Sequence, residues 1–122
     1  MKASSIEWLK KPERDNYPAA QSYLSLVYGD AKVKKLAKRL RKARVVCFKA
    51  KDIFRASGLS LLGVSNEHVE KDRKKIRAGK PLSPILLVRD EAHGRVVIAD
   101  GYHRLCAVYS FDEDAEIPCQ IA

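Results

Sequence analysis

The chain has 122 residues, of which 46% are hydrophobic, and its formal net charge is +9. This length and composition are typical of one domain with one core, and they exclude a disordered chain. No apolar run has the length of a membrane-spanning helix or a signal peptide, so we expect a soluble cytoplasmic protein without a membrane partner. The three cysteines, without a C-x-x-C pair, predict neither a disulfide framework nor a zinc site.

The N-terminal part of the chain predicts two helices and a strand. Residues 18–28 begin with proline, which suits the first turn of a helix, and a glycine interrupts the pattern. Residues 30–43 place apolar side chains at helical spacing on one stripe and Lys or Arg elsewhere. The β-branched and aromatic segment 45–49 predicts the first strand. Residues 50–64 contain two glycines and predict only a short helical turn followed by a loop.

The C-terminal part predicts a helix, a hairpin, a second helix and a last strand. A helix begins near Ser65 or Asn66, and Gly79 ends it. The apolar segment 84–88 and its partner 96–100 predict the hairpin. The remaining expected elements are a helix from 102 to about 110 and a strand at 116–121.

The turn after the second hairpin strand has the composition of an anion-binding site. The strand ends at Asp100, a glycine follows, and a helix begins at once. The first N–H groups of a helix have no intrahelical acceptor and carry partial positive charge, so they suit phosphate oxygens. Gly101 allows close backbone approach, Arg104 adds a two-pronged contact, and His103 donates to a phosphate or moves a proton.

Two questions about this turn stay open at the level of sequence. Asp100 holds a sugar hydroxyl, a metal ion or the turn itself. The competing interpretation of the whole segment is an ordinary glycine turn with a surface histidine and arginine. An Arg104 turned inward into an internal ion pair would argue for that second interpretation.

The same segment resembles a known superfamily. VVIADGYHRLCAVY at 96–109 is similar to the ParB/sulfiredoxin signature, in which a strand delivers a Gly-x-x-Arg turn to a helix. NEHVEKDRKKIRAGKPLSPILLV at 66–88 is similar to the family's helix, glycine and proline-led strand. FKAKDI at 48–53 extends the resemblance, which covers residues 45–121.

The resemblance implies a fold and a ligand. The fold is an α+β, ParB/sulfiredoxin-like single domain at 45–122, with a small mixed β-sheet flanked by helices. Residues 1–44 are then an N-terminal helical extension packed on that domain. The implied ligand is a nucleotide, ATP or CTP, with Mg²⁺ as an accompanying ion. The implied phosphate-binding residues are Gly101, Tyr102, His103, Arg104 and, after the first strand, Arg55, for which a solvated loop charge is the alternative.

Departures from the family pattern separate its branches. Sulfiredoxins carry Gly-Cys-His-Arg with a nucleophilic cysteine, and the phenol of Tyr102 cannot replace a thiolate at neutral pH. Cys106, one helical turn later, is interpreted as a small buried hydrophobe. ParB proteins carry Gly-Glu-Arg-Arg and then a helix-turn-helix segment, whereas only eighteen residues follow Arg104. His68 stands where sulfiredoxins place a nucleotide-contacting lysine.

The Asp-Gly-x-His-Arg form is most similar to the branch that phosphorylates free serine. Asp100 and His103 are accordingly the candidate catalytic residues for a phosphotransferase. Phosphoryl transfer also needs a carboxylate that orients the acceptor hydroxyl. The carboxylates available for that role are Glu67, Glu70, Asp72 and Asp100.

A basic segment supports a different function. Residues 32–44 contain eight Lys and Arg in thirteen positions, which suits the phosphates of a nucleic acid or simply a solvated helix face. The candidate nucleic-acid-binding residues are Lys34, Lys35, Lys38, Arg39 and Lys42.

The sequence therefore leaves two functions open. One is a nucleotide-binding domain, with or without phosphoryl transfer. The other is a non-catalytic DNA- or protein-binding adaptor. Aromatic residues of the N-terminal segment pack against the domain or against a second copy in a homodimer; they are Trp8, Tyr17, Tyr23 and Tyr28.

Overall fold

The computed structural model describes residues 6–63 and 65–122, and within them five α-helices and a four-stranded mixed sheet form an α+β architecture. This confirms the predicted α+β class with a small mixed sheet flanked by helices, whereas the ParB/sulfiredoxin-like assignment stays a prediction. In those residues no helix combines the length and the apolar character needed to cross a bilayer. The elements in chain order are α1 (Asn16–Leu24), α2 (Asp30–Lys42), β1 (Val46–Lys49), α3 (Ala50–Ser57), α4 (Glu67–Arg77), β2 (Ile85–Asp90), β3 (Arg95–Asp100), α5 (Tyr102–Phe111) and β4 (Glu116–Ile121), with a 3₁₀ turn Glu91–His93 inside the hairpin.

The sheet has the strand order β1-β4-β2-β3. β1 pairs with β4 and β2 with β3 in antiparallel fashion, whereas the central pair β2 and β4 is parallel. Parallel neighbours need a crossover connection, and here the chain makes it through β3 and α5. This crossover places the start of α5 directly after β3, at one end of the sheet.

Both faces of the sheet are buried. Alternation along β2 sends Leu86 and Val88 to one face and Ile85 and Leu87 to the other. α1 and α2 cover the first face, and α3, α4 and α5 pack on the second. The helices of the segment 1–44 thus supply a whole layer, although the domain boundary at residue 44 stays a prediction.

The N-terminal aromatic residues mostly pack within the chain. Trp8 forms a parallel β-bridge with Leu82 and contacts the core beneath α3 to α5. Tyr17 and Tyr28 pack against the core beneath α1 and α2. Tyr23 is 45% exposed. Most of these rings therefore serve the fold of one chain.

α3 is longer than the sequence indicated. Its eight residues follow β1 without a loop, and Gly58 ends the helix with φ 68°. The N–H groups of Ala50 and Lys51 donate to the carbonyl oxygens of Ala115 and Glu113, both at 2.9 Å. These acceptors lie in the loop before β4, so a local pattern cannot show them. Tertiary contacts thus decide the conformation of this segment.

Candidate functional site

The start of α5 has the geometry that the sequence predicted. β3 ends at Asp100, Gly101 follows with φ 110°, and the first helical hydrogen bond runs from the Leu105 N–H to the Gly101 carbonyl at 2.9 Å. No side chain in the described parts of the chain caps this end of the helix. The N–H groups of the first turn are therefore open to an added anion.

Gly101 is required by the protein's own packing. A Cβ at this position would overlap Cγ2 of Ile85 and would lie 2.8 Å from Cβ of Ile85 and 2.9 Å from Nη2 of Arg104. Its positive φ is also a conformation that residues with a Cβ rarely adopt. The missing Cβ faces Ile85 and Arg104, so packing within the chain explains the glycine, and close approach of a ligand at Gly101 stays a prediction.

α4 runs beside α5, and together they enclose a cavity of about 190 Å³, which we call the α5 cavity. Asn66 begins α4 by accepting hydrogen bonds from the N–H groups of His68 and Val69, at 3.0 and 3.2 Å. This cap fixes where α4 begins, and the buried Val69 and Ile76 determine which side of the helix faces the core. The residues around the α5 cavity are His68, Lys71, Asp72 and Lys75 from α4, and Asp100, Gly101, Tyr102, His103 and Arg104 from the turn.

The two histidines of the α5 cavity lie against each other. The ring centroids of His68 and His103 are 4.9 Å apart, with 40° between the ring planes. Lys71 and Lys75 stand one turn apart on the same side of α4. The cavity therefore gathers two ammonium groups and two imidazoles around the positive end of α5.

Arg104 is held by the protein itself. Its Nη2 lies 3.0 Å from Oδ2 of Asp100, and it also donates to the Pro84 carbonyl at 3.3 Å and to Oδ1 of Asn16 at 3.4 Å. The side chains of Arg104 and Asp100 are only 16% and 19% exposed. Arg104 lines the cavity, but its guanidinium is an internal brace that joins α5 to β3, to the segment before β2 and to α1. This internal ion pair argues for the ordinary-turn interpretation and against the predicted two-pronged phosphate contact of Arg104.

Asp72 is the carboxylate that the cavity leaves available. Burial raises its pKa above the usual value, while Arg104, Lys75, His103 and Lys71 act in the opposite direction. It forms no ion pair with the described residues. Asp100, by contrast, is occupied by Arg104.

The other two acidic candidates lie outside the α5 cavity. Glu67 is 89% exposed and lies 3.8 Å from Nε2 of His68. Glu70 pairs with Arg73 and Arg77, each at 3.4 Å. Both carboxylates therefore contact basic side chains of α4 itself and do not face the α5 cavity.

Neither Tyr102 nor Cys106 lies in surroundings that would activate it as a nucleophile. The Tyr102 hydroxyl donates to the Ser60 carbonyl, and burial raises its pKa. Cys106 is fully buried, and burial raises the pKa of its thiol as well. Both groups stay protonated at neutral pH, which agrees with the interpretation of Cys106 as a small core residue.

Arg55 is not part of the site. Its side chain is 83% exposed and pairs loosely with Asp52 at 3.9 Å. It does not line the α5 cavity. The phosphate contact that the resemblance implied for this residue has no support from its position.

The residues present do not fit a resident Mg²⁺ ion. Across residues 6–63 and 65–122 there is no group of three or more His, Cys, Asp or Glu placed to hold a metal. The α5 cavity offers two carboxylates, and Asp100 is committed to Arg104. Mg²⁺ usually retains several waters and is bound by one or two carboxylates together with substrate phosphates, so it would enter with a nucleotide rather than reside in the chain by itself.

Sequence reasoning did not identify Lys71 and Lys75 as residues of the α5 cavity. The available sign was their spacing, because positions 68, 71, 72 and 75 repeat at three and four residues and share one helix face. The residues at these four positions are all polar, although their face of α4 lies beside another helix. This polarity distinguishes their stripe from the apolar stripe that contains Val69 and Ile76.

The five predicted nucleic-acid-binding residues form a second polar feature, the basic surface of α2. The opposite face of this helix is buried on the sheet through Val33, Leu36 and Leu40. The five residues are exposed, and none forms an ion pair with a described carboxylate. They are Lys34, Lys35, Lys38, Arg39 and Lys42. The surface therefore carries charge that the chain does not neutralise.

Comparison with known proteins gives no match: no family model, no curated protein and no solved structure matches the chain.

Proposed function

We propose that the α5 cavity binds the phosphate groups of a nucleotide of the ATP or CTP type, in a fold of the ParB/sulfiredoxin type. The observation that carries the proposal is the meeting of an uncapped helix start with Lys71, Lys75 and two histidines. Phosphate oxygens accept hydrogen bonds from first-turn N–H groups and gain from nearby ammonium charge. This function follows the resemblance in the ligand and in the first turn of α5, but it assigns the charged side-chain contacts to Lys71 and Lys75 instead of Arg104 and Arg55.

The size of the α5 cavity limits what enters it. About 190 Å³ is smaller than the 300–1,000 Å³ that is typical of pockets that enclose drug-sized ligands. It accommodates phosphate groups, and the base and sugar then lie outside. Specificity for the base therefore comes from residues beyond the cavity wall.

In the proposed complex, some residues of the cavity contact the phosphates and others hold the turn before α5 in place. The amides of the first turn and the side chains of Lys71 and Lys75 contact the phosphates. Arg104 keeps the turn in place through Asp100 and the Pro84 carbonyl. If a phosphoryl group is transferred, Asp72 is the carboxylate that orients the acceptor hydroxyl, and His103 is the group that moves a proton.

Calorimetric titration with ATP, CTP and ADP, each with and without Mg²⁺, tests the proposal. We expect saturable binding of at least one nucleotide, and an affinity about tenfold lower in the double variant Lys71→Gln/Lys75→Gln, because two charged contacts are lost. Lys74→Gln is the matched control, since Lys74 is exposed on the same helix and outside the cavity. The proposal fails if no nucleotide binds, or if Lys74→Gln weakens binding as much as the double variant.

These lysines are better probes than Arg104. Truncating Arg104 would leave Asp100 without its partner in a site where both side chains are mostly buried. Such a change destabilises the fold. A loss of nucleotide binding in Arg104→Ala would therefore not distinguish binding from folding.

The basic surface of α2 favours a second candidate function, a non-catalytic adaptor for DNA. Its five cations form no ion pair with a carboxylate of the described residues and stand on one exposed face. Contacts with DNA phosphates weaken steeply with salt, because binding releases counterions.

Fluorescence anisotropy with single- and double-stranded DNA at two salt concentrations measures this second function. We expect the variant with Lys34, Lys35, Lys38 and Arg39 changed to Gln to lose binding and to show a flatter dependence on salt. Lys74→Gln/Lys80→Gln is the control, with two exposed lysines removed elsewhere. Equal losses of DNA affinity in both variants would mean that binding depends on the net charge of the protein and not on the basic surface of α2.

A further inference from the structure

A second cavity lies on the sheet face that α3 only partly covers. Its volume is about 410 Å³, and one side chain from each strand forms its floor. The floor residues are Phe48 of β1, Leu87 of β2, Val96 of β3 and Ile121 of β4. Ile53 and Ala56 of α3 form one wall. We call this cavity the four-strand trough. Its residues belong neither to the α5 cavity nor to the basic surface of α2.

The trough exists because α3 is short. The helix has eight residues and ends at Gly58, so it cannot cover the hairpin end of the sheet. Leu87 and Ile53 are almost completely buried beneath the opening, while Phe48 and Ile121 are half-buried. An apolar floor of this size, open to solvent on one side, is typical of a small-molecule site.

Charged groups stand on the rim of the trough. Arg89 follows Leu87 by two positions on β2, so it lies on the same face of the sheet, and it pairs across the strands with Val96. Arg95 is held by Asp90, with Nε at 3.1 Å from Oδ2. Arg89 makes no ion pair with the described residues. The rim therefore presents one guanidinium that forms no ion pair with a described carboxylate, beside the apolar floor.

We infer that the four-strand trough binds a small, flat, apolar molecule that carries a carboxylate. The apolar body lies on the floor residues, and the carboxylate accepts hydrogen bonds from Arg89 at the rim. A guanidinium matches the planar geometry of a carboxylate with two parallel N–H donors. The acidic rim residues Asp52 and Glu91 disfavour a second negative charge on the ligand, which makes a monocarboxylate the matching class.

Nuclear magnetic resonance titration with three naphthalene probes tests this inference. The probes are 2-naphthoate, the uncharged 2-naphthylmethanol and the cationic 2-naphthylmethylammonium, which share one apolar body. We expect saturable shifts of the backbone amides of Leu87, Val96 and Ile121 with 2-naphthoate. Affinity for the alcohol and for the cation should be at least fivefold weaker, because only the carboxylate is matched to Arg89.

Two variants separate the charge from the apolar floor. Arg89→Gln should weaken 2-naphthoate about tenfold and leave the alcohol unchanged, since only one charged contact is removed. Ala56→Leu should weaken all three probes, because the larger side chain fills the wall of the trough. Arg14→Gln is the control for Arg89→Gln, since Arg14 is exposed and lies outside the trough. Melting temperatures of the variants check that each is folded.

Several results would overturn the inference. Absence of saturable binding, or binding that neither Arg89→Gln nor Ala56→Leu alters, excludes the trough as the site. Loss with Ala56→Leu but not with Arg89→Gln rejects the carboxylate as the recognised group. Concentration-dependent dimerisation that Ala56→Leu abolishes would assign the trough to a second copy of the chain and reject the small ligand.

Discussion

Replacing Gly101 by alanine tests why the turn before α5 contains glycine. The added Cβ would overlap Cγ2 of Ile85 and would stand 2.8 Å from its Cβ. Ile85 is fully buried in the core, so it cannot move aside freely. Forcing an extra methyl group into a packed core costs about 1–3 kcal/mol, and the backbone conformation at φ 110° costs a further ~1–3 kcal/mol for a residue with a Cβ. We expect Gly101→Ala to lower the free energy of unfolding by about 4 kcal/mol.

Gly58→Ala is the matched control for this experiment. Gly58 also has a positive φ of 68°, but a Cβ there would meet nothing within 4 Å. Gly58→Ala therefore measures the backbone cost alone, about 1 kcal/mol. Urea denaturation of the two variants and the parent chain gives both values. If Gly101→Ala costs no more than Gly58→Ala, the steric account of the turn is refuted.

Three further predictions follow from single contacts. Folding raises the pKa of the Asp72 carboxyl group above its ordinary 3.8, so the native chain binds this proton more tightly than the unfolded chain does. The protonated carboxyl group therefore stabilises the fold at low pH, and this stabilisation is lost as pH rises through the pKa of the folded chain. Asp72→Asn should therefore be more stable than the parent at pH 7 and equal to it below pH 3.8, as urea denaturation across pH would show; a variant less stable at pH 7 would contradict this. Tyr17→Phe removes the 2.5 Å hydrogen bond to Oε1 of the buried Gln120. It should lower the free energy of unfolding, measured by thermal denaturation, by about 1–3 kcal/mol. An unchanged stability would mean that solvent reaches the side-chain amide of Gln120. Burial raises the pKa of Cys119 to about 12, Cys106 is also buried, and Cys47 is exposed. A thiol reagent at pH 8 should therefore modify one cysteine rapidly in the native chain and all three after unfolding. Fast modification of all three cysteines in native buffer would show that Cys106 and Cys119 are not buried.

Local pattern was enough to predict most of the elements. The apolar stripe of α2, the Asn66 cap of α4 and the glycine before α5 each act within a few residues, so sequence alone placed them well. α3 was underestimated because the loop before β4 supplies acceptors for its first N–H groups. Its stability depends on residues more than sixty positions away.

The candidate site was predicted less completely than the fold. The position of the turn at Asp100 follows from strand, glycine and helix in succession. Which way Arg104 points depends on Asp100, Asn16 and the Pro84 carbonyl, which surround it in three dimensions. Lys71 and Lys75 enter the site only because α4 packs against α5. Sequence spacing shows their common face but not the element that faces them.

The central claim is that the first turn of α5 holds phosphate, and the amide resonances of that turn test it most directly. A titration with ATP, followed in ¹H–¹⁵N spectra, reports on Tyr102, His103 and Arg104 separately from the basic surface of α2. The account predicts saturable shifts, the largest at these three amides and at Lys71 and Lys75, that persist in the variant with Lys34, Lys35, Lys38 and Arg39 neutralised. Shifts confined to α2, or none at the first turn of α5 at saturating ATP, would contradict it.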